Sequence, residues 1–205
     1  MSIHLDLTKT AVLSLHMIND VVLKDGKFGQ IFGEQAEARK VIEKGKQLME
    51  TARSFQIPVI HIAVRFQPGY SDLVANSPLL SMVKEMNALV EGTRGGDFVE
   101  ELQPLEHEIT IFHQRVGPFQ ETELAALLNK LGIESLIIYG VATNVSVEQT
   151  ARNAIDHGFQ VFVVEDCCSA ATLQAHQASI ETLGLLSTVI TLNDVTQLVK
   201  NNEGA

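Results

Sequence analysis

The sequence predicts an α/β fold, a three-layer, Rossmann-like open parallel sheet of about six strands with helices on both faces. Short segments that are almost continuously apolar and rich in β-branched residues recur along the 205-residue chain. Such segments are typical of strands that are covered on both faces. Longer segments with helical periodicity separate them. Strands that alternate with helices form βα units, and right-handed crossovers then place the strands parallel in one sheet.

Six segments are predicted strands because they are short and nearly continuous in apolar character. Five helices are predicted because apolar side chains recur on one face of each. Gly132, Gly158 and Gly184 are each expected to end a helix in the left-handed conformation that glycine adopts cheaply. The predicted strands are 11–15, 59–64, 109–112, 136–139, 161–164 and 188–190; the predicted helices are 35–55, 121–131, 146–157, 176–186 and 194–199.

One long connection interrupts this alternation. Residues 67–105 contain three of the five prolines and four of the fourteen glycines. A connection of this length inside a compact domain is usually functional or part of an interface. Because the sequence shows no repeat, low-complexity tract or interdomain linker, residues 1–205 are predicted to form a single domain.

Charge and cysteine content narrow the class of protein. Lys and Arg number 15 against 25 Asp and Glu, and the formal net charge of −10 disfavours binding to nucleic acid or to anionic membrane surfaces. The two cysteines, Cys167 and Cys168, are adjacent, so no disulfide framework is predicted. No signal peptide or membrane-spanning apolar segment is recognisable, and a cytoplasmic protein is predicted.

Polar side chains follow three of the predicted strands at their carboxyl ends, where ligands bind in open α/β sheets. His16 ends the first strand, His113 ends the third, and Ser146 opens the helix after the fourth. Free N–H groups at that helix start could hold an oxyanion, with an imidazole as general base. Simpler interpretations stay open: each histidine is a polar cap on the sheet, and Ser146 is an early-turn residue of a helix capped by Thr143 or Asn144.

The remaining histidines and motifs indicate no cofactor. His61 is predicted to pack in the core, and His107, His157 and His176 are predicted to lie on the surface. The sequence has no His-x-x-x-His or Cys-x-x-Cys pair, so no metal is predicted. It also has no P-loop and no glycine-rich dinucleotide fingerprint after the first strand, so no nucleotide cofactor is predicted.

Four sequence blocks, in the right order, resemble the isochorismatase-like hydrolases, also called the cysteine hydrolase superfamily. Residues 139–170, YGVATNVSVEQTARNAIDHGFQVFVVEDCCSA, resemble the family's G-V-A-T-N-V-C-V-E-x-T-A-R-D-A and E-D-A-C-A-S blocks. HQRVGPF at 113–119 resembles its K-x-R-x-S-A-F, and LSLHMIND at 13–20 resembles its V-I-D-M-Q-N-D. HIAVRFQPGY at 61–70 resembles a further family segment. The resemblance extends from about residue 9 to residue 198 and implies a six-stranded parallel sheet.

The resemblance also implies a catalytic Asp, Lys and Cys, and this sequence differs at all three positions. His16 occupies the Asp position, His113 the Lys position and Ser146 the Cys position. A serine hydroxyl is far less acidic than a thiol and needs a well-placed base at the moment of attack. The family's usual thiolate mechanism therefore does not fit the sequence.

The resemblance leaves two hypotheses for function. The first is a hydrolase of a small amide, carbamoyl or vinyl-ether substrate, with Ser146 as nucleophile or water-positioning residue and His16 and His113 as acid and base. Activity would then fall as the pH drops through the ordinary histidine range, about 6 to 7. The second is a catalytically silent relative that binds a small ligand or a partner. A metal held by the two histidines would need at least one more ligand.

Further expectations rest on the same resemblance. Backbone N–H groups of Ala142 and Ser146 would bind the oxyanion, and the peptide bond between Val141 and Ala142 would be cis. Cys167 and Cys168 would be buried, unreactive thiols. The residues expected to bind the substrate are Ala142, Thr143, Arg115, Phe119 and Tyr70.

A homo-oligomer is also expected. Members of the family are usually dimers or larger closed assemblies. The 67–96 segment carries apolar residues, among them Leu73, Val74, Leu79, Leu80, Met82 and Val83, that have no evident place in the core. Exposed apolar area of this kind tends to form an interface.

Overall fold

The computed structural model describes residues 5–202 and confirms the predicted α/β fold. Six parallel strands form one sheet in the order β3-β2-β1-β4-β5-β6. The strands are β1 (Thr10–Leu15), β2 (Val59–Val64), β3 (Ile109–His113), β4 (Ser135–Gly140), β5 (Gln160–Val164) and β6 (Thr188–Ile190). Every residue of β1, β2 and β4 is buried, which explains their continuous apolar character.

Helices cover both faces of the sheet. The chain moves from β1 to β2 in one direction along the sheet and from β4 to β5 in the other, so right-handed crossovers put the intervening helices on opposite faces. The helices are α1 (Asn19–Val22), α2 (Glu34–Ala38), α3 (Val41–Ser54), α4 (Pro78–Glu85), α5 (Leu124–Lys130), α6 (Glu148–Asp156), α7 (Leu173–Leu183) and α8 (Leu192–Asn202). α8 packs beside α3, and α7 packs beside α6. Within residues 5–202, none of them combines the length and apolar character needed to cross a membrane.

The prediction of a single helix over 35–55 is wrong at one point, because the helix is interrupted between α2 and α3. Lys40 adopts a left-handed φ of 56°. The preceding Arg39 reaches across the fold: its Nε donates to the carbonyl of Cys168 at 2.7 Å, and its Nη2 donates to the carbonyl of Glu165 at 2.9 Å. These long-range hydrogen bonds offset the lost helical ones, and local periodicity carries no trace of them.

The predicted glycine helix ends are confirmed at two of three positions. Gly132 has a φ of 70° and Gly158 a φ of 89°, both left-handed. Gly184 ends α7 with a φ of −62°, so the predicted left-handed conformation is wrong there. The backbone continues its right-handed turn, and the N–H of Ser187 donates to the carbonyl of Leu183 at 2.8 Å.

The long 67–105 connection folds over the carboxyl ends of the central strands. Ser77 caps the start of α4, and its hydroxyl accepts from the N–H of Leu80 at 3.3 Å. The buried carboxylate of Asp20 accepts from the N–H of Leu89 at 2.8 Å, and the side-chain amide of Asn19 donates to the carbonyl of Arg94 at 2.7 Å. Two polar residues that follow β1 therefore hold this connection in place.

Most apolar side chains of this connection pack within their own domain. Leu80 and Val83 are buried, and Leu73, Leu79 and Met82 pack against the core, whereas Val74 is 48% exposed. These side chains therefore have a place that the sequence did not reveal, and they no longer argue for an interface. A homo-oligomer remains a prediction.

Both cysteines lie just after β5 and are completely buried, as expected. Burial raises the pKa of the Cys167 thiol, and it raises the pKa of Cys168 to about 12. Because the thiolate is the reactive form, we expect a disulfide-exchange reagent at pH 8 to label neither thiol quickly in the native protein and both in denaturant. Rapid labelling of the native protein would contradict this prediction.

Candidate functional site

A cavity opens at the centre of the sheet, beyond the carboxyl ends of β1 and β4. The strand order reverses here, because β2 and β3 lie on one side of this central pair and β5 and β6 lie on the other. Open α/β sheets form a ligand-binding crevice at such a point. The volume of the cavity is about 70 Å³. Its walls are mostly apolar and include Val21, Phe28, Phe32, Leu80, Val83 and Leu89. The polar side chains in its lining are those of His16, Arg115 and Ser146.

His16 and His113 form a direct pair. They follow β1 and end β3, two strands separated by β2, yet their Nε2 atoms lie 2.7 Å apart and their ring centroids 4.9 Å apart. Both side chains are buried. His16 has a left-handed φ of 55°, so the chain turns as it leaves β1. The structure thus brings together two of the three residues that the family resemblance places in the triad.

The hydrogen bonds of the pair define its tautomers. His113 Nδ1 lies 2.9 Å from the carbonyl oxygen of Arg115, which can only accept, so Nδ1 carries the proton. In the neutral ring His113 Nε2 is then an acceptor, and His16 Nε2–H donates to it. Neutral His16 therefore has an unprotonated Nδ1, and that atom has no hydrogen-bond partner within residues 5–202.

Both imidazoles favour the neutral state. Burial, followed by the neighbouring His113, holds the pKa of His16 well below its usual value of 6.5. Burial lowers the pKa of His113 to about 4, although its bond to the Arg115 carbonyl acts in the opposite direction. The range of 6 to 7 expected from unperturbed histidines is therefore too high, because it ignores desolvation.

Ser146 lies in the cavity lining, but its hydroxyl forms no hydrogen bond with either imidazole in the described chain. Its hydroxyl lies 3.0 Å from the carbonyl of Val141 and 3.4 Å from that of Ala142, and it donates to the backbone. The residue lies in a π-type turn, Thr143–Val147, that leads into α6. The hydroxyl proton is therefore not directed at a base.

Two unpaired donors complete the site. The peptide bond between Val141 and Ala142 is cis, as the resemblance implied. Ala142 lines the cavity, and its N–H has no acceptor within the described residues. Arg115 pairs through Nη2 with the carboxylate of Glu121 at 2.7 Å, and its buried Nη1 has no partner in the described chain.

Three residues expected to bind the substrate do not belong to the cavity lining, because their side chains are engaged elsewhere. The hydroxyl of Thr143 lies 2.8 Å from His176 Nδ1 and is fully buried. Phe119 stacks on His157, with 5.0 Å between ring centroids. The hydroxyl of Tyr70 donates to the carbonyl of Ala88 at 2.8 Å. Direct contact of any of the three with a substrate remains a prediction.

The prediction that His176 lies on the surface is wrong, since only 2% of the residue is exposed. α7 begins at Leu173, three residues before the predicted start, with the hydroxyl of Thr172 accepting from the N–H of Ala175. That register turns His176 inward, towards Thr143 and Glu165. The Thr172 capping residue is the sequence signal that could have revealed it. His61 packs in the core as predicted.

The two-histidine metal hypothesis finds no third side chain. Residues 5–202 contain no group of three or more His, Cys, Asp or Glu side chains arranged to hold a metal ion. In addition, the Nε2 atoms of His16 and His113 are hydrogen-bonded to each other. A metal could bind these atoms only after that bond breaks.

Acid should destabilise the fold through this pair. The pKa of His113 is about 4 in the folded protein and about 6.5 when unfolded, so between these values the unfolded chain binds more protons. Stability from this group is fully present above about pH 6.5 and is lost as the pH falls towards 4, at up to about 1.4 kcal/mol per pH unit. Urea unfolding from pH 7 to 4.5 should show a shallower decline in His113→Asn than in the exposed-site control His107→Asn. Equal declines would contradict the prediction.

Sequence comparisons agree with the fold. A model of the isochorismatase domain matches residues 10–194. The chain is 26% identical over 164 residues to a maleamate amidohydrolase of Pseudomonas putida, covering 80% of this chain and 76% of that protein. It is 30% identical over 178 residues to the ureidoacrylate amidohydrolase RutB of Caulobacter segnis, covering 79% and 73%. It is 41% identical to the isochorismatase family protein YecD of Escherichia coli O157:H7, but over 73 residues, which are 36% of this chain and 39% of that protein.

Solved structures share the architecture. An isochorismatase-like hydrolase from Alkaliphilus metalliredigens is 27% identical with a TM-score of 0.76, covering 92% of this chain and 98% of that one. A cysteine hydrolase from Pseudomonas syringae has a TM-score of 0.85 at 19% identity, covering 98% and 96%, and shows likeness of fold alone. The domain match over residues 10–194, the parallel sheet and the cavity beside β1 and β4 lead to one conclusion. This chain is a member of the isochorismatase family.

Proposed function

We propose that the protein hydrolyses a small amide or carbamoyl compound in the cavity, with water as the nucleophile and His16 as the general base. One observation carries the proposal: two residues that line the same cavity each have an unpaired polar group, and the two groups are of opposite kind. They are the acceptor Nδ1 of His16 and the donor N–H of Ala142. Buried polar groups are normally paired, so a pair left open at a cavity is suited to a ligand.

These groups match the needs of amide hydrolysis. His16 Nδ1 takes a proton from water as the water oxygen bonds to the carbonyl carbon, and the carbonyl electron pair moves to oxygen. The N–H of Ala142 stabilises the resulting oxyanion. When the carbonyl re-forms, the carbon–nitrogen bond breaks and the proton on His16 passes to the leaving nitrogen. His113 keeps His16 in the required tautomer by accepting from Nε2–H.

In this proposal Ser146 positions the water molecule. A nucleophilic serine donates its proton to a base, whereas this hydroxyl donates to a backbone carbonyl. Its oxygen lone pairs are left to accept a hydrogen bond from a water molecule in the cavity. This arrangement supports the water route over a covalent intermediate on Ser146.

The lining favours one class of substrate. The apolar walls suit a short carbon skeleton, and the buried Nη1 of Arg115 suits a carbonyl or carboxylate oxygen at its far end. Vinyl-ether cleavage needs a proton donor, and the lowered pKa of both histidines leaves the pair without a spare proton at neutral pH. The two relatives named as amidohydrolases support the amide class.

A second candidate is ligand binding without turnover. It is favoured by the lack of any hydrogen bond between Ser146 and the two histidines in the described chain, and by burial, which holds the pKa of His16 low and weakens it as a base. Under this hypothesis the same donors and the same acceptor would hold a small ligand in the cavity.

A panel of short amides and ureido compounds tests the proposal. His16→Gln should lower kcat/KM by about 100-fold or more, because it removes the base, whereas Ser146→Ala should lower it by less than about tenfold. His107→Gln, at an exposed position, is the matched control and should retain activity. If the wild-type protein binds a panel compound saturably but does not turn it over, the ligand-binding hypothesis would replace the hydrolase proposal.

The pH dependence provides an independent check. The base is active when neutral, so kcat/KM should stay level from pH 8 to 6.5 and fall only as the pH drops further, because burial holds the pKa of His16 below 6.5. A fall centred between pH 7 and 8 would show that another group is the base.

A further inference from the structure

Thr143 directly follows the peptide that carries the proposed oxyanion donor, and each of its polar groups is engaged. Its N–H donates to the carbonyl of Ser169 at 2.8 Å. Its hydroxyl lies 2.8 Å from His176 Nδ1, and its carbonyl lies 3.2 Å from the hydroxyl of Ser179. Because these partners lie on the segment after β5 and on α7, a second part of the fold holds the backbone beside Ala142.

The hydrogen bonds of His176 have a single consistent direction. Its Nε2 lies 3.4 Å from the carboxylate of Glu165, which accepts, so Nε2 carries the proton in the neutral ring. Nδ1 is then the acceptor, and the hydroxyl of Thr143 donates to it. This order of carboxylate, imidazole and hydroxyl resembles that of a serine-protease triad. Thr143 is fully buried and outside the cavity lining, so its hydroxyl is no nucleophile.

Arg39 fixes the far end of this chain of contacts. Its Nη2 donates to the carboxylate of Glu165 at 3.2 Å and to the carbonyl of the same residue at 2.9 Å, and its Nε donates to the carbonyl of Cys168. Burial and the charge of Arg39 lower the pKa of His176, which keeps the ring neutral and Nδ1 free to accept. The break between α2 and α3, where Arg39 leaves the helix, is what allows these bonds.

We propose that His176 is a positioning residue that fixes the direction of the Ala142 N–H towards the cavity. It does so by accepting a hydrogen bond from the Thr143 hydroxyl, while Glu165 and Arg39 hold its ring in place. The inference rests on the proposed function, since it assigns that N–H to the oxyanion. A peptide group that is a few tenths of an ångström out of place stabilises the transition state less while leaving most ground-state contacts intact. Loss of the His176 contact should therefore affect kcat and not KM.

Paired substitutions test this role. His176→Leu and Thr143→Val should each lower kcat by about 10- to 100-fold and change KM by less than about twofold. The double variant should be no worse than either single one, because both remove the same contact. Thr143→Ser keeps the hydroxyl, and His176→Asn places an amide oxygen near the position of Nδ1, so both should retain activity within about threefold. Thr182→Val, which removes another hydroxyl from α7, is the control.

A readout that needs no turnover separates this inference from the proposed function. In protein labelled with 15N-alanine, the amide signal of Ala142 should shift in His176→Leu and Thr143→Val and stay in place in Thr182→Val. If these shifts occur while the wild-type protein hydrolyses no amide, the positioning role stands and the hydrolase proposal fails. An unshifted Ala142 signal in both variants, or kcat unchanged in an active enzyme, would overturn the positioning role.

Discussion

The combined substitutions His16→Asp, His113→Lys and Ser146→Cys should create a thiol at position 146 that iodoacetamide modifies rapidly, together with thiol-dependent amide hydrolysis. These are the residue types that the resemblance to the isochorismatase-like hydrolases implies at the three positions. His16 and His113 already contact each other at 2.7 Å, so a carboxylate and an ammonium group placed there would form a close ion pair. The thiol would stand in the π-type turn that leads into α6, where free N–H groups favour a thiolate.

The single substitutions should fail for an electrostatic reason. His113→Lys alone puts a buried ammonium group beside a neutral imidazole, and an uncompensated buried charge costs about 3–5 kcal/mol. Adding His16→Asp should recover most of that loss, which urea unfolding of the two singles and the double would measure as a coupling energy. Ser146→Cys alone is the matched control for the thiol, since it has the same position without the ion pair, and it should react slowly with iodoacetamide.

One result would count against a preserved catalytic cavity. If the triple variant folds, shown by a cooperative unfolding transition, and its thiol at position 146 reacts no faster than in Ser146→Cys alone, then the cavity differs from the family's active site beyond the triad. The ligand-binding hypothesis would then replace the hydrolase.

The strands and the meeting of His16 and His113 could be predicted because local sequence and strand order determine them. Strands buried on both faces must be apolar throughout, so β1 and β4 are recognisable without any knowledge of their partners. His16 follows β1 and His113 ends β3, and the carboxyl ends of parallel strands meet at one edge. Their convergence is therefore a consequence of topology that the sequence already implies.

Other parts of the site depend on contacts between distant segments. The direct bond between His16 and His113, and with it the free Nδ1 of His16, depends on the carbonyl of Arg115 as acceptor. The helix interruption before α3 depends on the contacts of Arg39 with distant residues, such as Cys168, which is 129 positions away in the sequence. Periodicity and spacing are local properties, and they carry no information about such partners.

The buried side of α7 shows how a small error in a boundary changes an interpretation. A helix predicted to begin at residue 176 leaves that histidine at an exposed end, whereas a start at Leu173 turns it to the interior. With the helix start three residues earlier, His176 lies nearly one full turn into the helix and not at its first residue. The position of the start also determines which backbone N–H groups are free. The element type was thus predicted correctly, while its register, which the Thr172 capping residue signals, was missed.

Gly140→Ala should be the most destabilising single substitution of a glycine at the site. Gly140 ends β4 with a φ of 141°, a conformation that side chains other than glycine rarely adopt. A Cβ atom there would stand 2.1 Å from the carbonyl oxygen of Leu15 and 2.8 Å from its Cβ. Because Leu15 belongs to the central strand β1 and directly precedes His16, neither backbone can move without disturbing the sheet and the site.

The expected loss combines backbone strain and overpacking, each about 1–3 kcal/mol, for a total of about 2–6 kcal/mol. Gly132→Ala is the matched control: its φ of 70° is also positive, but a Cβ atom there meets nothing within 4 Å, so it should cost about 1–2 kcal/mol. Urea midpoints would measure both, and a Gly140→Ala protein recovered only as aggregate beside a folded Gly132→Ala would agree with the prediction. Equal midpoints would mean that the Leu15 carbonyl moves to accommodate the new methyl group. The close approach of β1 and β4 would then be flexible and not rigid.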